Sequence, residues 1–128
     1  MHKDSSSEHP LFPYYFIANI PLCEFNVANG STEFWLGSHA LTTHHDQKIA
    51  MTEDDIAPYP SAEVGNVIPA IKDDVKEQRR AFRPPIQPVC GPGDVMIRDI
   101  RLWHAGMPNG SDAHRIMLGL GYQVCCFS

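Results

Sequence analysis

From residue 86 to residue 122 the chain reads IQPVCGPGDVMIRDIRLWHAGMPNGSDAHRIMLGLGY, and this stretch decides the fold class. It is a series of short apolar runs separated by turn residues. Ile86 to Val89 reads as one short strand, and Gly91-Pro92-Gly93 as a turn. Val95-Met96-Ile97 reads as the next strand, with Asp94 at its mouth. Leu102-Trp103-His104 begins another strand, and Pro108-Asn109-Gly110-Ser111-Asp112 turns the chain again. Arg115 to Tyr122 is the last strand, with Gly119 and Gly121 inside it. No helix-length segment separates these runs, so the strands are not βαβ units of a parallel sheet.

The same texture continues toward the N-terminus. Tyr14 to Leu22 is aromatic and β-branched and reads as a buried strand. Asn29-Gly30 is a hairpin-turn signal, which makes Ser31 to Leu36 the returning strand, closed by Gly37-Ser38-His39. Residues 5–13 read as a loop. Residues 40–85 differ: they are polar, with an acidic run at Glu53-Asp54-Asp55 and prolines at Pro58 and Pro60. One short helix is expected there, from Pro69 at its first position to Phe82, with Ile71, Val75 and Phe82 near one face and Pro84-Pro85 as its stop. The expectation is a single domain over 1–128, all-β apart from one short helix. Its core is a two-sheet jelly roll, and 40–85 is a variable insertion bordering a site mouth.

At 128 residues and 43% hydrophobic composition the chain is long enough to bury a core. A net charge of -5 argues against a general nucleic-acid or anionic-membrane surface. No apolar run approaches the roughly 18 residues of a membrane helix. Cys23, Cys90, Cys125 and Cys126 fit no zinc spacing, and no secretory signal is visible. Reduced thiols and a cytoplasmic location are therefore expected.

The candidate chemistry lies in two places. His2-Lys3-Asp4 is a His-x-Asp pair, and His104 is a distant histidine that a jelly roll can bring beside it. Together they supply a 2-His-1-carboxylate facial triad. Such a triad holds Fe(II) on one face and leaves positions open for a co-substrate and O2. Arg115, eleven positions after His104, suits an anchor for a dicarboxylate, being always charged and able to bind a carboxylate bidentately.

Four segments in order carry a resemblance. Asn29-Gly30-Ser31-Thr32 followed by Leu36-Gly37-Ser38-His39 resembles the "NGA(T)…PGSH" segment of the phytanoyl-CoA dioxygenase-like family. Gly93-Asp94-Val95-Met96 resembles its "GD(L/V)" strand, and His104-Ala105-Gly106-Met107-Pro108-Asn109 its "HGxxPN" turn. Arg115 falls where its co-substrate arginine falls. The stretch from Pro21 to His39 looks especially like fungal members acting in secondary metabolism. The resemblance implies a double-stranded β-helix and an Fe(II)- and 2-oxoglutarate-dependent dioxygenase that uses O2 and releases succinate and CO2. It implies His2, Asp4 and His104 as iron ligands, Arg115 as the 2-oxoglutarate anchor, and Thr32 as a further hydrogen-bond donor to it. The substrate would be a small organic molecule, most simply hydroxylated. Relative to that family the chain begins well inside the fold, so the jelly roll is expected to be incomplete at its N-terminus. Gly106 stands where many relatives carry a hydroxyl.

Competing readings are specific. A truncated, non-catalytic jelly roll, or a binding protein derived from the family, is the alternative; its uncovered edges would favour a homo-oligomer. His39 reads as structural or at the pocket edge. His44-His45-Asp46 reads as a solvated loop, not a second metal site. His114 is expected to face away from the pocket. Arg79, Arg80 and Arg83 read as a solvated helix end, and Trp35 and Tyr14-Tyr15-Phe16 as core. Cys125-Cys126-Phe127-Ser128 formally fits a prenylation box, but no polybasic segment precedes it, which favours an accidental match.

Overall fold

The computed structural model describes residues 1–5, 10, 12–40, 42–49 and 68–124. Its elements are β1 (Tyr15–Pro21), β2 (Glu33–Phe34), a 3-10 turn (His44–Asp46), α1 (Asp73–Phe82), β3 (Met96–Asp99), β4 (His104–Ala105) and β5 (Met117–Gln123). They form two antiparallel sheets, one of order β3-β1-β5 and one of order β2-β4. This is an all-β, jelly-roll-like architecture with a single helix among the described residues.

In the larger sheet the register sorts side chains by face, because residues directly opposite one another share a face. Phe16, Ala18 and Ile20 of β1 lie with Asp99 and Ile97 of β3 and with Tyr122, Leu120 and Leu118 of β5. That face is apolar and open to solvent at Ile97, Leu118, Leu120 and Tyr122. The other face carries Ile17 and Asn19 with Arg98 and Met96, and it looks toward the smaller sheet. On its β5 side it has Gly119 and Gly121, where a Cβ at Gly121 would collide with the Tyr15 ring.

The smaller sheet is widened by isolated pairings: His2 joins the free side of His104, and Ile86 joins the free side of Phe34. One face of this ribbon presents Trp35 and Trp103, which pack with Ile71 into the core, backed by Met1 and Val75. Burying two indoles contributes about 4–6 kcal/mol each before ordering entropy is set against it. Both ring N–H groups are satisfied, that of Trp35 by Glu33 and that of Trp103 by Thr42. The opposite face carries His2, His104 and Phe34.

Four expectations need correction. Asn29-Gly30 does turn the chain, with Gly30 at φ 74° and reciprocal hydrogen bonds between Asn26 and Asn29. It does not make a hairpin, however: Phe25 pairs with Cys90, while β2 crosses to β4. The helix begins at Asp73, not Pro69. Residues 69–71 are extended, because Ile71 N–H donates to Met1 O and Ala70 O accepts from Lys48. Ile71 is thus core without being helical, and Phe82 at the far end of α1 is 81% exposed. Ile86–Val89 is also not a continuous strand; only Ile86 and Cys90 pair, each with a different partner. The Arg79 guanidinium donates to Leu36 O and Arg80 lies over the Trp35 ring, so this helix end is docked as well as solvated. The acidic run at 53–55 and Cys125 lie outside the described residues.

Candidate metal centre

The pairing of His2 with His104 builds the site. Each backbone N–H donates to the other's carbonyl, at 3.0 and 2.9 Å. Residues paired in this way point to the same face, and the imidazole centroids are 4.5 Å apart. Alternation then puts Asp4 on the face of His2 and turns Lys3 to the other side. Asp4 is held there by its own N–H, which donates to Ile100 O. Asp4 Oδ1 lies 3.4 Å from His2 Nε2 and 3.5 Å from His104 Nε2. Among the described residues these three form the one group of histidine, cysteine and carboxylate side chains suited to an ion, their ligand atoms all within 4.8 Å of one another.

Second contacts fix His104 and Asp4. The carbonyl of Leu102 accepts a hydrogen bond from His104 Nδ1 at 2.9 Å. A carbonyl has no proton to give, so Nδ1 carries the hydrogen and Nε2 presents its lone pair to the site. Burial, then the neighbouring Arg98 charge, push the His104 imidazole down to about 4, against the pull of Asp4. It is therefore neutral, and able to ligate, near pH 7. Burial alone would raise the Asp4 carboxyl. The hydrogen bond from His2 and the attraction of His104 and Arg98 outweigh it and hold the group well below the usual carboxylate range. Arg98 Nη1 lies 2.7 Å from Asp4 Oδ2, off the N–H direction, so the contact is charge pairing and not an aligned hydrogen bond.

The insertion supports the site from behind. Lys3 is fully buried, and its Nζ donates to Thr43 O at 2.7 Å. Burial pushes its ammonium down to about 8 against the pull of Asp46. Thr43 caps the 3-10 turn, in which the Asp46 carboxylate accepts a hydrogen bond from the Thr43 N–H. His44 and His45 therefore belong to a capped turn. Trp103, the neighbour of His104, is tied to the same region through Ser38 Oγ and Thr42 Oγ1. His39 lies at the edge of a cavity of about 320 Å³ that Arg98 also lines, with Phe16, Leu36 and Asp99.

Arg115 and Thr32 are placed less directly. Arg115 precedes β5, donates from Nη1 to Asn29 O at 3.1 Å and stacks over Phe25 at 5.4 Å. Thr32 stands immediately before β2, half-buried, two residues from Phe34. No described hydrogen bond or ion pair joins either residue to the triad. Two side chains beside the site escaped the sequence reading, Lys3 and Arg98. For Arg98 the signal was charge in the middle of an apolar strand pattern, Arg98-Asp99-Ile100-Arg101, where burial demands partners. Asp99 and Arg101 answer it with a buried ion pair at 2.6 Å.

The donor set fits a divalent transition ion. Donors sharing one ion at about 2.1 Å, at right angles, stand about 3 Å apart, and the observed 3.4 and 3.5 Å separations are close to that. Two imidazoles and a carboxylate on one face of a jelly-roll-like frame define a class of metal-binding β proteins. The comparison with protein families narrows it: the model of the phytanoyl-CoA dioxygenase (PhyH) family matches residues 1–117. The chain belongs to that dioxygenase family, and the matched residues include His2, Asp4, His104 and Arg115. No helix among the described residues is long and apolar enough to cross a membrane.

Proposed function

We propose that this chain is a non-haem Fe(II)- and 2-oxoglutarate-dependent dioxygenase that oxidises a small organic molecule, most simply by hydroxylation, in the cytoplasm. The observation that carries the reading is the convergence of His2, Asp4 and His104, residues from distant parts of a chain of this family. When bound, the iron supplies the oxidative chemistry with O2, and 2-oxoglutarate leaves as succinate and CO2. The protein holds and orients. His104 offers a fixed neutral Nε2, Asp4 stays ionised throughout the working pH range, and His2 closes the set. Arg115 is the anchor proposed for the far carboxylate of 2-oxoglutarate. Asn29 takes one of its five N–H donors, and a guanidinium keeps a bidentate edge for such a partner. Thr32 is the proposed additional hydroxyl donor.

The test is an anaerobic titration with Fe(II) followed by 2-oxoglutarate, read as the visible charge-transfer band of the chelate. A saturable band that is lost in His104→Ala supports the reading; a folded wild-type chain without a band rejects it. Arg115→Ala is expected to weaken 2-oxoglutarate binding at least tenfold while leaving Fe(II) affinity within about twofold, the loss of a charged hydrogen-bonded pair. Equal losses for both would remove Arg115 from the anchor role.

A further inference from the structure

The two carboxylate oxygens of Asp4 have different neighbours. Oδ1 faces His2 Nε2 and His104 Nε2, whereas Oδ2 faces the Arg98 guanidinium. Arg98 is anchored on its other side: its Nε donates to Asn19 Oδ1 at 3.0 Å, and Asn19 is buried on β1. Arg98 belongs to β3, paired with Ile17 of β1, on the sheet face that looks toward the triad. Beside the backbone link from Asp4 N–H to Ile100 O, the larger sheet thus reaches the site of the smaller one through this guanidinium. It touches a ligand carboxylate and none of the other two ligands' ring nitrogens in the described contacts.

We propose that Arg98 is a positioning and charge-setting residue of the metal centre: it reserves Asp4 Oδ2 for itself, leaves Oδ1 as the oxygen offered to the ion, and cancels the carboxylate's negative charge. The inference rests on the metal-site reading above. An imidazole ligates only as a neutral donor, so around a bound ion the carboxylate and the guanidinium cancel and the protein groups carry no net charge. A divalent ion there keeps its full +2, which favours an anionic ligand such as the 2-oxoglutarate dianion. Without Arg98 the carboxylate would bring both oxygens and a full negative charge to the ion. The charge argument therefore makes an unusual forecast, because removing this arginine should strengthen binding of the bare ion and weaken binding of the anion. A strut that merely held Asp4 in place would weaken both.

Co(II) is the probe, since its visible absorption reports coordination. It is titrated into the full chain as wild type, Arg98→Gln, Arg98→Lys and Asn19→Ala, with 2-oxoglutarate added afterwards. For Arg98→Gln, Co(II) should bind roughly tenfold or more tighter, 2-oxoglutarate roughly tenfold weaker, and the Co(II) band should change as a second oxygen enters. Arg98→Lys, which keeps the charge, should return both affinities toward wild type. Asn19→Ala leaves the guanidinium in place but loosens it, and should shift the band in the same direction by less. It keeps the question answerable where Arg98→Gln does not fold. Co(II) binding that weakens or does not change in Arg98→Gln, with no band change in Asn19→Ala, overturns the role of Arg98. Wild-type protein that binds no Co(II) overturns the metal site itself, a different and recognisable failure.

Discussion

His104 is neutral in the fold at a pH where an unfolded histidine would begin to take up protons, and this makes it an acid-sensitive point. Its folded value of about 4 lies below its ordinary 6.5, with burial the main cause. As pH falls from 6.5 to 4 the unfolded chain binds a proton that the native chain refuses, so stability is lost across that window and levels off below it. The shift corresponds to about 3 kcal/mol. Metal-free wild type should therefore lose up to about 3 kcal/mol more than His104→Gln between pH 7 and pH 4, measured by urea unfolding at each pH. Parallel curves for the two proteins would show that the imidazole is not desolvated as described. At this scale the sequence was a good guide to which side chains converge, because His-x-Asp and one distant histidine is a pattern of residue types. It was silent on the groups that tune them. Lys3, Arg98 and the Leu102 carbonyl act through orientation and burial, and neither is written in local residue type.

The elements show where local pattern stops being informative. β1, β3 and β5 sit within a few residues of where alternation and turn residues place them. The order in which they pair does not follow from the chain. Asn29-Gly30 signals a reversal, but the partner of the next strand is decided by burial far away, by Trp35 N–H reaching Trp103 O and Phe34 lying across from His104. The helix start shifted for the same reason: Ile71 is claimed by Met1 and the core before helical propensity can use it. Gly30 joins both levels. It sits at φ 74°, and a Cβ there would run into the carbonyl oxygens of Met107 and Pro108, on the loop that follows β4. Those are backbone atoms that no rotamer change can move aside. Gly30→Ala should cost at least about 2 kcal/mol, the left-handed strain alone being 1–2 kcal/mol. It should also disturb Arg115 through Asn29. A urea midpoint unchanged within error would show that the turn can swing away from the 107–108 loop.

For the whole molecule, the metal centre is also a tie between distant parts of the chain. His2 and Asp4 are held to the rest of the fold by two backbone pairings, with His104 and with Ile100, and by the buried Lys3. An ion bound by His2, Asp4 and His104 would add a bond across about a hundred residues of sequence, at donors that the fold brings together. Such a ligand stabilises by RT ln(1 + [L]/Kd), about 2.7 kcal/mol at a hundredfold excess over Kd. For a chain of this length each kcal/mol raises Tm by roughly 3–6 °C. Anaerobic Fe(II) or Co(II) at that excess should therefore raise Tm by about 8–16 °C, and hydrogen exchange at residues 2–4 should slow with it. His104→Ala should lose the whole shift. Mg(II), which prefers oxygen ligands, should give little of it even to wild type. A rise of equal size with Mg(II), or one that survives His104→Ala, would place the ion elsewhere, on carboxylates alone, and would separate the stability of this fold from its candidate site.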